Sequence, residues 1–199
     1  MKKFLSLGLV LAFGTSAFAQ QLVANGNFAT DDETGWTLIN ASSGSEQGIG
    51  QLSGDPGNSQ YSPSTFGWYG AAVAFEDDVL YQTLATTAGQ TYNLVLNYET
   101  FNTNNSGLDI WWNTNSFTTG TGNVYTATDP GVDETWEQLS FQVTATGSTT
   151  TLAVGAYNVP SGLYITDVGV TPSSTPEPAS MAVLGLGAFA LIRRRRNRK

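Results

Sequence analysis

The stretch from Thr91 to Glu99 alternates without a break. Tyr92, Leu94, Leu96 and Tyr98 fall on one side, and Thr91, Asn93, Val95, Asn97 and Glu99 on the other. A period of two with polar residues on one side marks an antiparallel strand with one face on a core and one in water. The period recurs along the chain. Leu108, Ile110 and Trp112 alternate with Asp109, Trp111 and Asn113. Leu139, Phe141 and Val143 fall inward in "EQLSFQVTA", and Leu152, Val154 and Ala156 in "TTLAVGAY". "GLYITDVGV" reads as the last strand; "GWTLIN" and Gly70 to Phe75 read as earlier ones. Ala88-Gly89-Gln90 joins "VLYQTLA" to the Thr91 strand, which predicts a hairpin. Roughly seven to nine short strands with no helical period predict an all-β fold, a two-sheet antiparallel β-sandwich. A jelly roll is preferred to an immunoglobulin-like topology, which composition does not exclude.

Both ends depart from this pattern. Residues 1–19 carry Lys2 and Lys3, an apolar run from Phe4 to Phe13, and the small-x-small triplet Ala17-Phe18-Ala19. That order predicts a secretory signal helix cleaved after Ala19. The run is shorter than the about 20 apolar residues a membrane span needs. At the other end, residues 171–178 read as a Pro/Ser-rich linker containing Pro176-Glu177-Pro178, which breaks secondary structure. Residues 179–192 read as a short apolar anchor helix, and 193–199 as a basic tail that stays cytoplasmic. The anchor is short enough to be transient. The sandwich domain is left as residues 20–170.

Charge sharpens this division. All 8 Lys and Arg lie in the two end segments, and the chain has no His and no Cys. The stretch from Gln20 to Thr175 is therefore acidic, with no cationic side chain. It has nothing to neutralise phosphates, which excludes nucleic acid as a partner. Most acid–base and covalent catalysis is excluded with the His, Cys and Lys it would need. Two carboxylates would suffice for a glycosidase, but no motif pairs the acids, so no enzyme is expected. The negative field favours cations and neutral partners.

Aromatics are then the first candidates for binding, because Trp and Tyr rings offer flat faces to the C–H faces of sugars. Phe66, Trp68 and Tyr69 lie in a Gly/Ser-rich segment that reads as a loop. Trp111 shares the side of Asp109 and is expected to point outward, whereas Trp112, Trp36 and Trp136 are expected in the core. The candidate platform is Trp111, Trp68 and Tyr69, with Asp109 and Asn104, helped by Asn102 and Asn105, orienting hydroxyls. Ordinary packing is the competing reading for each ring.

Two resemblances add to this. Pro176-Glu177-Pro178-Ala179-Ser180, the apolar run and the Arg-rich end resemble a PEP-CTERM sorting signal. That resemblance implies export across the inner membrane of a Gram-negative bacterium by the secretion machinery. It further implies processing by an exosortase and a product at the cell surface or in the exopolysaccharide of a biofilm. "LVANGNFATDDETGWTL", "LYQTLATTAGQTYNLVLNYE" and "LYITDVGV" together resemble galactose-binding-like jelly rolls, which include many carbohydrate-binding modules. In that family a structural calcium sits between the opening segment and the last strand. The resemblance carries this site to Asp167, with Asp31 in place of the acid that usually follows the Phe; here Ala29 follows Phe28. The expectation is a non-catalytic surface or matrix protein that binds a neutral polysaccharide. The alternative is a structural or adhesive protein with no sugar site.

Overall fold

The computed structural model describes residues 20–41, 45–51, 66–71, 76–100, 105–130, 136–158 and 162–173. The signal segment, the linker from residue 174 on with its Pro176-Glu177-Pro178, the anchor and the basic tail lie outside them, as do Asn102 and Asn104.

The described residues form strands β1 (Thr37–Ile39), β2 (Glu46–Gln51), β3 (Phe66–Ala71), β4 (Asp78–Ala85) and β5 (Thr91–Thr100). They continue with β6 (Ser106–Trp112), β7 (Tyr125–Thr128), β8 (Glu137–Thr144), β9 (Thr149–Asn158) and β10 (Leu163–Pro172). Two antiparallel sheets of five strands pack face to face. Sheet A runs β1-β4-β9-β6-β7, and sheet B runs β2-β3-β10-β5-β8. This is the jelly-roll sandwich predicted from the alternation.

The inward positions are those the period of two assigns. Tyr92, Leu94, Leu96 and Tyr98 of β5 meet Leu108, Ile110 and Trp112 of β6 and Leu152, Val154 and Ala156 of β9 in one core. Val143 of β8 joins them, with Leu139 and Phe141 partly buried against them. Each fully buried Leu or Ile contributes about 1.5–3 kcal/mol relative to exposure.

Three predicted elements need correction. β4 and β5 are not a hairpin, because β4 belongs to sheet A and β5 to sheet B. The turn between them is tied to the β8–β9 connection instead: Thr86 N–H donates to the Ser148 carbonyl at 2.9 Å and Gly89 N–H to the Ala145 carbonyl at 2.8 Å. The strand expected from Gly70 begins earlier, at Phe66, and residues 72–75 lie outside the described residues. β10 runs through Pro172, two residues beyond the domain end expected at 170.

The opening segment closes the sandwich. Gly26 lies so close to β10 that an added Cβ would sit 2.0 Å from the Val168 carbonyl oxygen, and Val168 N–H donates to the Gly26 carbonyl at 2.9 Å. Phe28 and Trp36 stack in the core with centroids 5.8 Å apart, and Trp36 Nε1 donates to the Asn25 carbonyl at 3.1 Å. The Asn-Gly-x-Phe and Gly-Trp pieces of the sequence are thus two halves of one structural clasp.

Candidate functional site

Residues opposite one another in antiparallel register share a face of the sheet. In sheet B, Tyr69 of β3 lies opposite Tyr164 of β10, and Tyr164 opposite Glu99 of β5. Thr166 lies opposite Asn97, and Asn97 opposite Gln138 of β8. Leu163 and Ile165 flank Tyr164 and are in the core, as is Trp68 beside Tyr69. Both tyrosines therefore stand on the outer face.

Their rings are 5.7 Å apart and tilted by 37°. Both are half-buried. The Tyr69 ring lies over glycine: a Cβ on Gly48 would touch its hydroxyl at 3.4 Å, and one on Gly50 its ring at 3.9 Å. A Cβ on Gly162 would touch the Tyr164 ring at 3.4 Å. Glycine backbone lets the pair lie down on the sheet. Burial, and then the nearby Tyr69 and Glu99, push the Tyr164 hydroxyl above its ordinary pKa.

Beside the rings the face is polar and closed to water. Asn97, Glu99 and Thr166 are buried, so β5 is not half-exposed along its length as its alternation predicts. Gln138 Nε2 donates to Asn97 Oδ1 at 3.3 Å, and Asn97 Nδ2 donates to Asp167 Oδ2 at 3.0 Å. Asp167 reaches this face because β10 carries an irregularity between Thr166 and Gly169, where Asp167 adopts a left-handed φ of 53°. An extra residue at such a bulge re-aims a side chain.

Several sequence candidates stand elsewhere. Trp111 does leave the main core, as its position beside Asp109 requires, but it is not exposed. Its relative exposure is 0 %, and it packs in a second cluster with Val79 and Ala153, against Tyr81 and Phe117. The segment 113–124 folds over it, and Trp111 Nε1 donates to the Thr121 carbonyl at 3.0 Å. Trp68 lies in β3 rather than a loop and is fully buried, with Nε1 donating to Gln47 Oε1 at 3.1 Å. Asp109 is buried under the same segment and accepts hydrogen bonds from Gly120 N–H and Asn123 Nδ2. None of these three can stack on or orient an external sugar. Asn104 lies outside the described residues. Among the described residues of the predicted platform Tyr69 alone remains available, and Tyr164 and the exposed Gln138 join it.

The two acids of the predicted calcium pair lie on the last strand and in the opening turn. The Asp167 carboxylate is turned to Asn97, and Asp31 is exposed in the opening turn. Among the described residues no group of three or more acidic side chains is arranged to hold a metal.

Comparison with known proteins gives two findings. Residues 174–196 match the PEP-CTERM protein-sorting motif. The chain carries a PEP-CTERM sorting signal. No curated protein matches it in sequence. Among solved structures, the sandwich is similar to the carbohydrate-binding module TmCBM61, solved with β-1,4-galactotriose. That likeness has a TM-score of 0.54 at 10 % identity, over 78 % of this chain and 100 % of that one. It is also similar to a protein of Bacteroides thetaiotaomicron VPI-5482 described as a candidate sugar-binding protein. Here the TM-score is 0.56 at 12 % identity, over 77 % of this chain and 100 % of that one. A third likeness is to the enzymatically active domain of the bacteriophage CBA120 tailspike protein 4, with a TM-score of 0.57 at 13 % identity. It covers 77 % of this chain but only 21 % of the tailspike. Such identities establish a shared fold. Binding modules and parts of enzymes both occur among these neighbours.

Proposed function

We propose that this is an exported, non-catalytic protein of the cell surface or extracellular matrix that binds a neutral polysaccharide on the outer face of sheet B. The observation that carries the reading is the Tyr69–Tyr164 pair, two rings side by side on a glycine bed with a carboxylate and amides next to them. Stacking on the rings supplies affinity without charge. The exposed Gln138 supplies a donor and an acceptor for hydroxyl groups, held in place by the buried Asn97 and Asp167 beneath it. An acidic domain without Lys or Arg repels acidic polymers and leaves neutral glycans as the ligand class.

Two similar structures named for sugar recognition support this reading of the sandwich. The sorting motif supports the location, with export followed by exosortase processing of the tail. The cell's own exopolysaccharide is then the nearest glycan.

Affinity electrophoresis of the full chain through gels carrying neutral or acidic polysaccharides tests this. Retardation is expected in a neutral gel only, and is lost in Tyr164→Ala and Tyr69→Ala. A folded chain that runs freely through every gel favours the structural or adhesive protein.

A further inference from the structure

The outer face of sheet A holds a second polar cluster that the tyrosine platform does not use. Asp77 stands at the foot of β4, Asp109 lies in β6, and Gly155 of β9 lies between them. Asp109 is the register partner of Gly155, and a Cβ added to Gly155 would lie 2.9 Å from Asp77 Cβ. Consecutive residues of the 113–124 segment serve the two acids. Thr119 Oγ1 accepts Asp77 N–H at 3.0 Å, and Gly120 N–H donates to Asp109 Oδ2 at 2.7 Å. Asn123 Nδ2 donates to Asp109 Oδ1 at 2.6 Å.

Asp109 is thus supplied with donors, and Asp77 is not. Asp77 is 7 % exposed, yet neither of its carboxylate oxygens has a hydrogen-bond partner. A buried carboxylate without partners is strongly unfavourable unless it takes up a proton or a cation is placed beside it. Between the end segments the chain has no Lys, Arg or His to place there. A cation from outside can take that place.

We propose that Asp77 and Asp109 bind a hard divalent cation of the calcium class, which pins the 113–124 segment over Trp111. All the donors are oxygens: the Asp77 carboxylate, the free lone pairs of Asp109 and the Thr119 hydroxyl. Calcium takes six to eight such ligands and tolerates irregular geometry, and water completes the shell. Two carboxylates rather than three make this a site of modest affinity, suited to an extracellular calcium level. It is separate from the Asp31 and Asp167 positions.

The test is a calcium chloride titration of the chelator-treated full chain, followed by calorimetry and by thermal unfolding. Saturable binding and a rise in Tm are expected, because a ligand held only by the fold stabilises it. Asp77→Asn, close in shape, abolishes both; Thr119→Val weakens the binding; Asp31→Asn leaves it intact. The proposal is overturned if the folded chain takes up no calcium at millimolar concentration, or if Asp77→Asn or Thr119→Val binds it as the parent chain does.

Discussion

Trp111 and Trp112 are neighbours in β6, stand on opposite faces of sheet A, and are both buried. Trp112 packs in the main core against Tyr92, with centroids 6.1 Å apart, and Trp111 against Phe117 at 5.7 Å on the far side. One strand therefore serves two cores, and the 113–124 segment is the lid of the second. Trp111→Ala should destabilise the protein by about 3–5 kcal/mol, the usual cost of removing a buried Trp. Urea unfolding would show it as a lower midpoint with glycan binding by the surviving fold unchanged.

Trp68 and Tyr164 should separate stability from binding. Trp68→Ala removes a fully buried ring from the core and should also cost about 3–5 kcal/mol. Tyr164→Ala removes a half-buried ring from the outer face. It should weaken glycan binding by on the order of tenfold, or about 1.4 kcal/mol, with a smaller loss of stability than Trp68→Ala. Denaturant curves and glycan titrations of the two variants check this.

Gly26→Ala should be among the most damaging small substitutions. The new Cβ would meet a backbone carbonyl at 2.0 Å, and neither the opening segment nor β10 can yield without losing the Val168–Gly26 hydrogen bond. A loss of about 1–3 kcal/mol or more is expected from such overpacking. Gly89→Ala should be milder, since nothing lies near its Cβ position and only its φ of 78° resists the change.

Stability in calcium-free buffer should fall as pH rises. Asp77 keeps its proton in the fold up to about 8, whereas its ordinary value is 3.8. The folded chain therefore holds more protons than the unfolded chain between those values, and stability declines with pH across that window. The groups around it are Asp109 of β6, Asp78 of β4 and Tyr157 of β9, none of them a cation that would reverse the sign. Tm measured from pH 5 to pH 9 should drop, and Asp77→Asn should flatten the slope.

The sequence shows the core well because burial on one face writes a period of two, as in Tyr92, Leu94, Leu96 and Tyr98. It hides β2, whose "EQGIGQ" offers a single large apolar side chain, and β7, a short "YTAT" at the sheet edge. It does not separate a hairpin from a crossover between sheets, because Ala88-Gly89-Gln90 suits either. The alternation of Trp111 with Trp112 is legible, but the cover provided by Phe117 and Thr121 is tertiary and leaves no local period. Tyr164 had a usable signal: a Tyr between inward Leu163 and Ile165 must point out. Its partnership with Tyr69 depends on β3 and β10 being neighbours, far apart in the chain.

The most direct measurement is amide hydrogen exchange of the full chain with and without a polysaccharide that retards it. Slowed exchange centred on residues 66–71 and 163–172, around Tyr69 and Tyr164, is the predicted result. Slowing confined to the 113–124 segment, or none anywhere in a folded chain saturated with that polysaccharide, would contradict the assignment of the sugar site to sheet B.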